Sequence, residues 1–132
     1  MVNKLLVGKV DDNFNWLPLW VHLQDTAGVM KLLLENWIAD ATVESCGMQF
    51  ENFYAIAEFV AATHDIGKAT SYFQAIICKK VPILYDNIVS SGLIVCENML
   101  HRGKTPHSYA GQWILQSDTV SINLPESVAN VI

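Results

Sequence analysis

Hydrophobic residues recur at intervals of three and four along most of the chain, the spacing that places side chains on one face of an α-helix. This pattern predicts helices over residues 24–41, 50–64, 69–78, 83–100 and 106–116. Residues 44–49 predict a loop in which Gly47 ends the preceding helix, and residues 90–92 interrupt the helix over 83–100. The pattern therefore predicts an all-α fold.

Two of the predicted helices carry an apolar stripe that we expect to face the core. In the helix over 50–64, the stripe ends at a histidine and consists of Phe53, Ala57, Val60 and His64. In the helix over 24–41, the stripe consists of Val29, Leu32, Leu33 and Trp37. His22 lies at the start of this first long helix, on the face of Val29 and Leu32. Both His22 and His64 are therefore expected to point inward.

The end of the chain predicts one more short helix. Asn123-Leu124-Pro125-Glu126 is a helix-start pattern, and the chain ends about two turns later, at Ile132. Helices this short are marginal on their own. Two interpretations stay open: a frayed terminal helix docked on the body, or a domain that is truncated inside an element.

Composition excludes several classes of protein. The chain has 132 residues, of which 52% are hydrophobic and 16% charged, so it is not a disordered protein and its length favours one domain. The most apolar stretch, residues 81–100, is interrupted by Asp86 and Glu97, so we expect neither a transmembrane helix nor a membrane partner. The N-terminus lacks the features of a secretory signal.

Cysteine usage indicates a reducing compartment. The three cysteines, Cys46, Cys78 and Cys96, are odd in number, widely spaced and without a CxxC motif. A disulfide framework is therefore not expected, each cysteine is predicted to be a small buried apolar side chain, and a cytoplasmic location fits best.

The net charge of −5 is unevenly distributed. Residues 1–65 hold three basic and nine acidic side chains, whereas residues 66–132 hold five basic and four acidic ones. An acidic first half does not by itself form a groove for nucleic acid. Any polyanion must be met by the second half, by metal ions or by another chain.

Three histidines predict a metal site. His64 and Asp65 are adjacent and precede Gly67-Lys68, and His107 lies in the first turn of the helix over 106–116. The face of His107 continues through Ala110, Gly111 and Ile114, small or apolar residues that allow close helix packing. Together with His22, these imidazoles and the carboxylate suit Mn, Fe, Co, Ni or Zn. For each histidine alone, a hydrogen-bonded core residue is the alternative, and His101 is interpreted as a solvated loop residue.

The segment FVAATHDIGKATSYFQ, residues 59–74, resembles the signature of the HD nuclease domain in CRISPR-associated type I interference nuclease–helicases. In that family an HD-x-GK segment is followed by a small residue and then by a Phe-Gln pair. Residues 22–27 resemble the family's first histidine motif, and residues 105–111 resemble its H-S-x-x-G motif. The resemblance covers residues 16–115 and implies an HD-domain helical bundle.

The resemblance also implies roles for individual residues. His22, His64 and Asp65 match ligands of a first metal ion, Asp65 is placed to bridge two ions, and His107 matches a ligand of the second. The implied cofactor is one or two divalent ions, of Mn, Co, Ni, Fe or Zn, with Mg also compatible. Lys68 matches a lysine beside the site and, with Asp65, is the implied catalytic residue.

Outside this set of residues, three further side chains near the motifs are interpreted structurally. Phe73 is predicted to be a core residue, and Gln74 is predicted to lie on the surface of its helix. Asp25 is interpreted as a capping carboxylate or as one that supports the site from outside it.

The chain also departs from the family pattern. The family has a His-His pair and a final aspartate downstream, but no histidine follows His107 here, and Asp118 comes too early to be assigned as a ligand. The helicase portion is absent. Residues 1–132 are therefore expected to be a partial HD domain, truncated at the C-terminus, with an open and weak metal site.

Three functional hypotheses follow. The first is a metal-dependent nuclease domain that cleaves single-stranded DNA in CRISPR antiviral defence, supplied by a helicase portion or an RNA-guided surveillance complex. The second is an HD phosphohydrolase that acts on nucleotides. The third is a non-catalytic, truncated scaffold that binds partner proteins through exposed apolar surface.

Overall fold

A computed structural model describes residues 4–95 and 106–117 of the chain. The predicted helical architecture is confirmed, with one small hairpin added. In chain order the elements are β1 (Val7–Val10), β2 (Trp16–Pro18), α1 (Leu19–Asn36), α2 (Asp40–Ser45), α3 (Phe50–Thr63), a 3₁₀ turn (Ile66–Ala69), α4 (Ser71–Lys80), a second 3₁₀ turn (Pro82–Leu84), α5 (Tyr85–Ser90) and α6 (His107–Gln116).

The hairpin of β1 and β2 is the element that the all-α prediction missed. Val10 pairs with Trp16 and Lys9 with Leu17 in antiparallel register, with an irregularity between Val7 and Lys9. Strands of four and three residues are too short to show the alternation that identifies a strand. The Asp11 carboxylate closes the loop by accepting hydrogen bonds from the backbone of Asn13 and Asn15 and from the Asn15 side chain.

Helix α1 differs from the prediction at both ends and in the face that it buries. It begins at Leu19, five residues early, where the Leu19 N–H donates to the Leu6 carbonyl next to the hairpin. Its buried residues are Leu19 and Leu34. The predicted inner face is exposed instead: Val29 to 56%, Leu32 to 61% and Trp37 to 85%.

The other helix predictions are mostly correct. Helices α3 and α6 end within a residue or two of their predicted bounds, and the predicted interruption at residues 90–92 is present as a turn after α5. The first part of the predicted loop over 44–49 is instead the end of α2, although Gly47 does take a positive φ of 67°. His101, Cys96, Asp118 and the helix predicted over 123–132 lie outside the described residues.

The main core lies between the hairpin and the helices that follow the 3₁₀ turn. Val7, Ile77, Cys78, Val81, Leu84 and Ile88 form this cluster. Cys78 is buried as predicted. Cys46, at the end of α2, is exposed instead, and neither cysteine forms a disulfide within the described part. None of the helices in residues 4–95 and 106–117 has the length and hydropathy to cross a membrane.

Candidate metal centre

The centre is built around Asp65, a carboxylate that is only 7% exposed. Helix α3 ends at Thr63, and the backbone of Asp65 leaves helical geometry, with φ −112° and ψ 15°. This break lets two neighbouring side chains, those of His64 and Asp65, turn toward the same point. The Lys68 N–H then donates to the Asp65 carbonyl at 2.9 Å and closes the 3₁₀ turn.

The structure brings every predicted site residue to the two oxygens of this carboxylate. Around Oδ2 lie His22 Nε2 at 2.7 Å, His64 Nε2 at 3.1 Å and Lys68 Nζ at 2.6 Å. On the other side, His107 Nε2 lies 3.2 Å from Oδ1. The four partners come from α1, the end of α3, the 3₁₀ turn and α6, so the cluster exists only in the folded chain.

One part of the cluster has the arrangement of a metal-binding group. One ligand atom from each of His22, His64 and Asp65 lies within 4.8 Å of the other two. His64 Nδ1 lies 2.8 Å from the Ala61 carbonyl, which requires a proton on Nδ1. In a neutral His64 ring, Nε2 then points a lone pair at the carboxylate. Two electron-pair donors, His64 Nε2 and the Asp65 carboxylate, then face each other, and a cation between them would make this contact favourable. The same arrangement occurs in metal sites where a ligating histidine donates its second N–H to a carbonyl.

The electrostatics keep Asp65 ionised. Burial raises the pKa of this carboxyl group, but hydrogen bonds from Lys68 and His22, and the positive charge of Lys68, outweigh that effect. The net result is a pKa below the ordinary value for aspartic acid. Asp65 is therefore an anion throughout the neutral pH range, which is the form that binds cations.

Helix α6 reaches the site through an unusually close backbone contact. A Cβ built on Gly67 would lie 1.8 Å from the His107 carbonyl oxygen and 2.5 Å from the Gly111 nitrogen. Only a glycine on the 3₁₀ turn permits this approach. The small-residue face predicted for α6 thus has its partner, and the contact carries His107 to Asp65.

Phe73 packs beside the centre from α4. Its ring meets the His107 ring edge to face, with centroids 5.9 Å apart and an interplanar angle of 73°. Lys68 Nζ lies 5.7 Å from the centroid of the Phe73 ring, over the ring. Phe73, predicted to be a core residue, is half-buried and packs against the core cluster as well as contacting these two site side chains.

The prediction for Gln74 is wrong, and so is one of the two alternatives for Asp25. Gln74, predicted at the helix surface, is 0% exposed and hydrogen-bonded to backbone groups. The position of Gln74 in the Phe-Gln pair was the only signal in the sequence for this role. Asp25 is exposed beyond the first turn of α1, and α1 has no side-chain cap, so Asp25 is not a capping residue.

Comparison with known proteins identifies the family of the chain. The family described as "Cas3, HD domain" matches residues 8–132. The CRISPR-associated nuclease/helicase Cas3 of Streptococcus thermophilus is 30% identical over a 143-residue alignment that covers 89% of this chain. The chain spans only 14% of the length of that relative. No solved structure matches the chain significantly. On the extent of the family match, the chain belongs to the Cas3 HD domain family.

Proposed function

We propose that the chain is the metal-binding part of an HD nuclease domain that cleaves single-stranded DNA within a CRISPR-associated assembly. The observation that carries the proposal is the convergence of three imidazoles and a lysine on one buried, ionised carboxylate. A structural histidine needs one hydrogen-bond partner. It does not need two other histidines at the same carboxylate.

The donor atoms divide into two sets. His22, His64 and Oδ2 of Asp65 would hold a first divalent ion, and His107 with Oδ1 of Asp65 would contribute to a second. Nitrogen and carboxylate oxygen donors favour Mn, Fe, Co, Ni and Zn, with Mg as a weaker fit. When bound, such ions activate water and stabilise the leaving oxygen in phosphodiester cleavage.

The chain's own groups contribute charge and orientation. Asp65, held ionised by Lys68 and His22, can share its two oxygens between both donor sets. The side chain of Lys68 is 15% exposed, so part of it is open to a phosphate oxygen that reaches the site. In that position its charge would offset the negative charge that develops on the scissile phosphate.

The substrate and partners are proposed from charge and from the relative. Residues 1–65 are strongly acidic, so DNA needs guidance from elsewhere to approach the centre. The name of the Streptococcus thermophilus relative couples a nuclease to a helicase. We therefore propose that a helicase portion, acting with an RNA-guided surveillance complex, delivers a single strand to this site.

Cleavage of a labelled single-stranded DNA during a Mn²⁺ titration tests the proposal. The wild-type chain should cleave in proportion to bound Mn²⁺, and His64→Ala and Asp65→Asn should reduce cleavage to the background without metal. Asp25→Asn is the matched control, since it removes an exposed carboxylate from α1. Equal cleavage by all four proteins, or phosphate release from nucleotides with intact DNA, would overturn the proposal.

A further inference from the structure

Gln74 is the one fully buried residue with a polar side chain in the described part, at 0% exposure. It lies in α4 and none of its atoms faces Asp65 or the histidines in a hydrogen bond. Instead its amide binds backbone groups through both N–H donors and one acceptor position of the oxygen. Oε1 accepts from the Val7 N–H at 3.2 Å, and Nε2 donates to the Val7 carbonyl at 2.9 Å and to the Lys68 carbonyl at 2.8 Å.

Two of these hydrogen bonds join Gln74 to strand β1 in the way that a neighbouring strand would be joined. On one side β1 pairs with β2, and the Leu6 carbonyl accepts from the Leu19 N–H. The opposite edge of β1 presents the Val7 N–H and carbonyl. A side-chain amide has the donor and acceptor of a peptide group, so Gln74 takes the place of a neighbouring strand at Val7.

The third hydrogen bond reaches the metal centre. The Lys68 carbonyl belongs to the 3₁₀ turn, in which the Lys68 N–H donates to the Asp65 carbonyl at 2.9 Å. The side chain of the same lysine holds the Asp65 carboxylate at 2.6 Å. Gln74 therefore connects the core strand β1 to the backbone of the residue that contacts Asp65 twice.

We propose that Gln74 is a positioning residue for the metal centre: its amide holds the 3₁₀ turn against β1 and so keeps Asp65 and Lys68 in place. The inference rests on the proposed function, because it assigns Gln74 a role in metal binding. No replacement in the standard set of similar size supplies one acceptor and two donors in this geometry. Methionine fills the volume but leaves three buried backbone groups without partners.

The test compares Gln74→Met with Ile88→Ala. Ile88 is 0% exposed in α5 and shares the core cluster with Val7, so its truncation weakens the same core without touching the turn. Both variants are measured under conditions in which each is fully folded. The two readouts are the dissociation constant for Mn²⁺ by calorimetry and, without metal, hydrogen exchange of the Lys68 and Thr70 amides.

We expect Gln74→Met to raise the dissociation constant about tenfold, the usual effect of losing a group that orients metal ligands. Exchange at the two amides should accelerate by about tenfold relative to Ile88→Ala at matched global stability. A purely structural role would move both variants together and leave Mn²⁺ affinity of the folded protein unchanged. That result would overturn the inference.

A second variant is measured in case Gln74→Met does not fold. Gln74→Glu keeps the shape and the acceptor for the Val7 N–H, but it turns a carboxyl oxygen toward two carbonyls, so the turn should loosen in the same direction. If neither variant folds while Ile88→Ala does, Gln74 is a structural residue and the inference fails. If wild-type binding of Mn²⁺ does not depend on His64, the proposed function fails, and amide exchange still decides the role of Gln74.

Discussion

Replacing Gly67 by alanine should separate His107 from Asp65. The new Cβ would start 1.8 Å from the His107 carbonyl oxygen and 2.8 Å from the His107 carbonyl carbon. Both neighbours are backbone atoms, so no side-chain rotation can relieve the overlap. Helix α6 or the 3₁₀ turn has to move as a whole.

The size of the movement follows from the contact distances. Real Cβ atoms essentially never approach a heavy atom within 3.0 Å, so α6 and the 3₁₀ turn must withdraw from each other by at least about 1.2 Å. His107 Nε2 is already 3.2 Å from Asp65 Oδ1, at the outer limit of a hydrogen bond. The withdrawal therefore breaks that contact. Overpacking of this kind costs about 1–3 kcal/mol of unfolding free energy.

Urea unfolding and a double-mutant cycle measure the two effects. Gly67→Ala should lower the unfolding free energy, and His107→Ala should no longer weaken Mn²⁺ binding in the Gly67→Ala background. Gly28→Ala is the matched control: its Cβ has nothing within 4 Å inside α1, so it should gain about 0.5–1 kcal/mol. A Gly67→Ala protein with wild-type stability and an undiminished effect of His107→Ala would refute the reasoning.

Three further predictions concern charge and capping. Lys68→Met removes a cation that lies 2.6 Å from Asp65 and competes with Mn²⁺ for its carboxylate. The substitution should therefore tighten Mn²⁺ binding roughly tenfold while slowing DNA cleavage. Weaker Mn²⁺ binding by the variant would contradict this competition. Hydrogen bonds hold the pKa of Asp11 below its ordinary value, so the hairpin is stabilised above about pH 4 and loses that stability as the pH falls through the lowered pKa. Urea unfolding of the wild type and of Asp11→Asn should therefore converge in acid. Thr70 caps α4 by accepting from the Phe73 N–H, so Thr70→Ala should cost about 1 kcal/mol and Thr70→Ser much less.

The metal centre was the part most accessible from sequence. His64 and Asp65 are adjacent, and the backbone leaves helical geometry at Asp65, so both side chains are directed at one point. The structure brings these side chains together with the other predicted site residues, His22 and His107. Motif spacing succeeds here because it reflects local backbone geometry, which a short segment determines by itself. Whether these side chains bind metal stays a prediction.

Which side chains of the helices point into the core was much harder to predict from the sequence. The apolar stripe of α1 predicted the wrong inner face, because the spacing of Leu32 and Trp37 establishes a face but not what packs on it. His22 points inward although the apolar residues that supported this prediction are exposed. Gln74 was misplaced because helical periodicity does not distinguish a glutamine on a helix surface from one that meets a distant strand. Its partner Val7 lies 67 residues away in sequence.

The carboxylate of Asp65 is a rigid planar group, so the donor set at Oδ2 and the donor set at Oδ1 cannot move independently. A rotation about its Cβ–Cγ bond that improves the geometry of Oδ2 toward His22 necessarily carries Oδ1 relative to His107. Neither set can be optimised alone. Substitutions at His22 and His107 should therefore show non-additive effects although the two side chains do not share an oxygen atom.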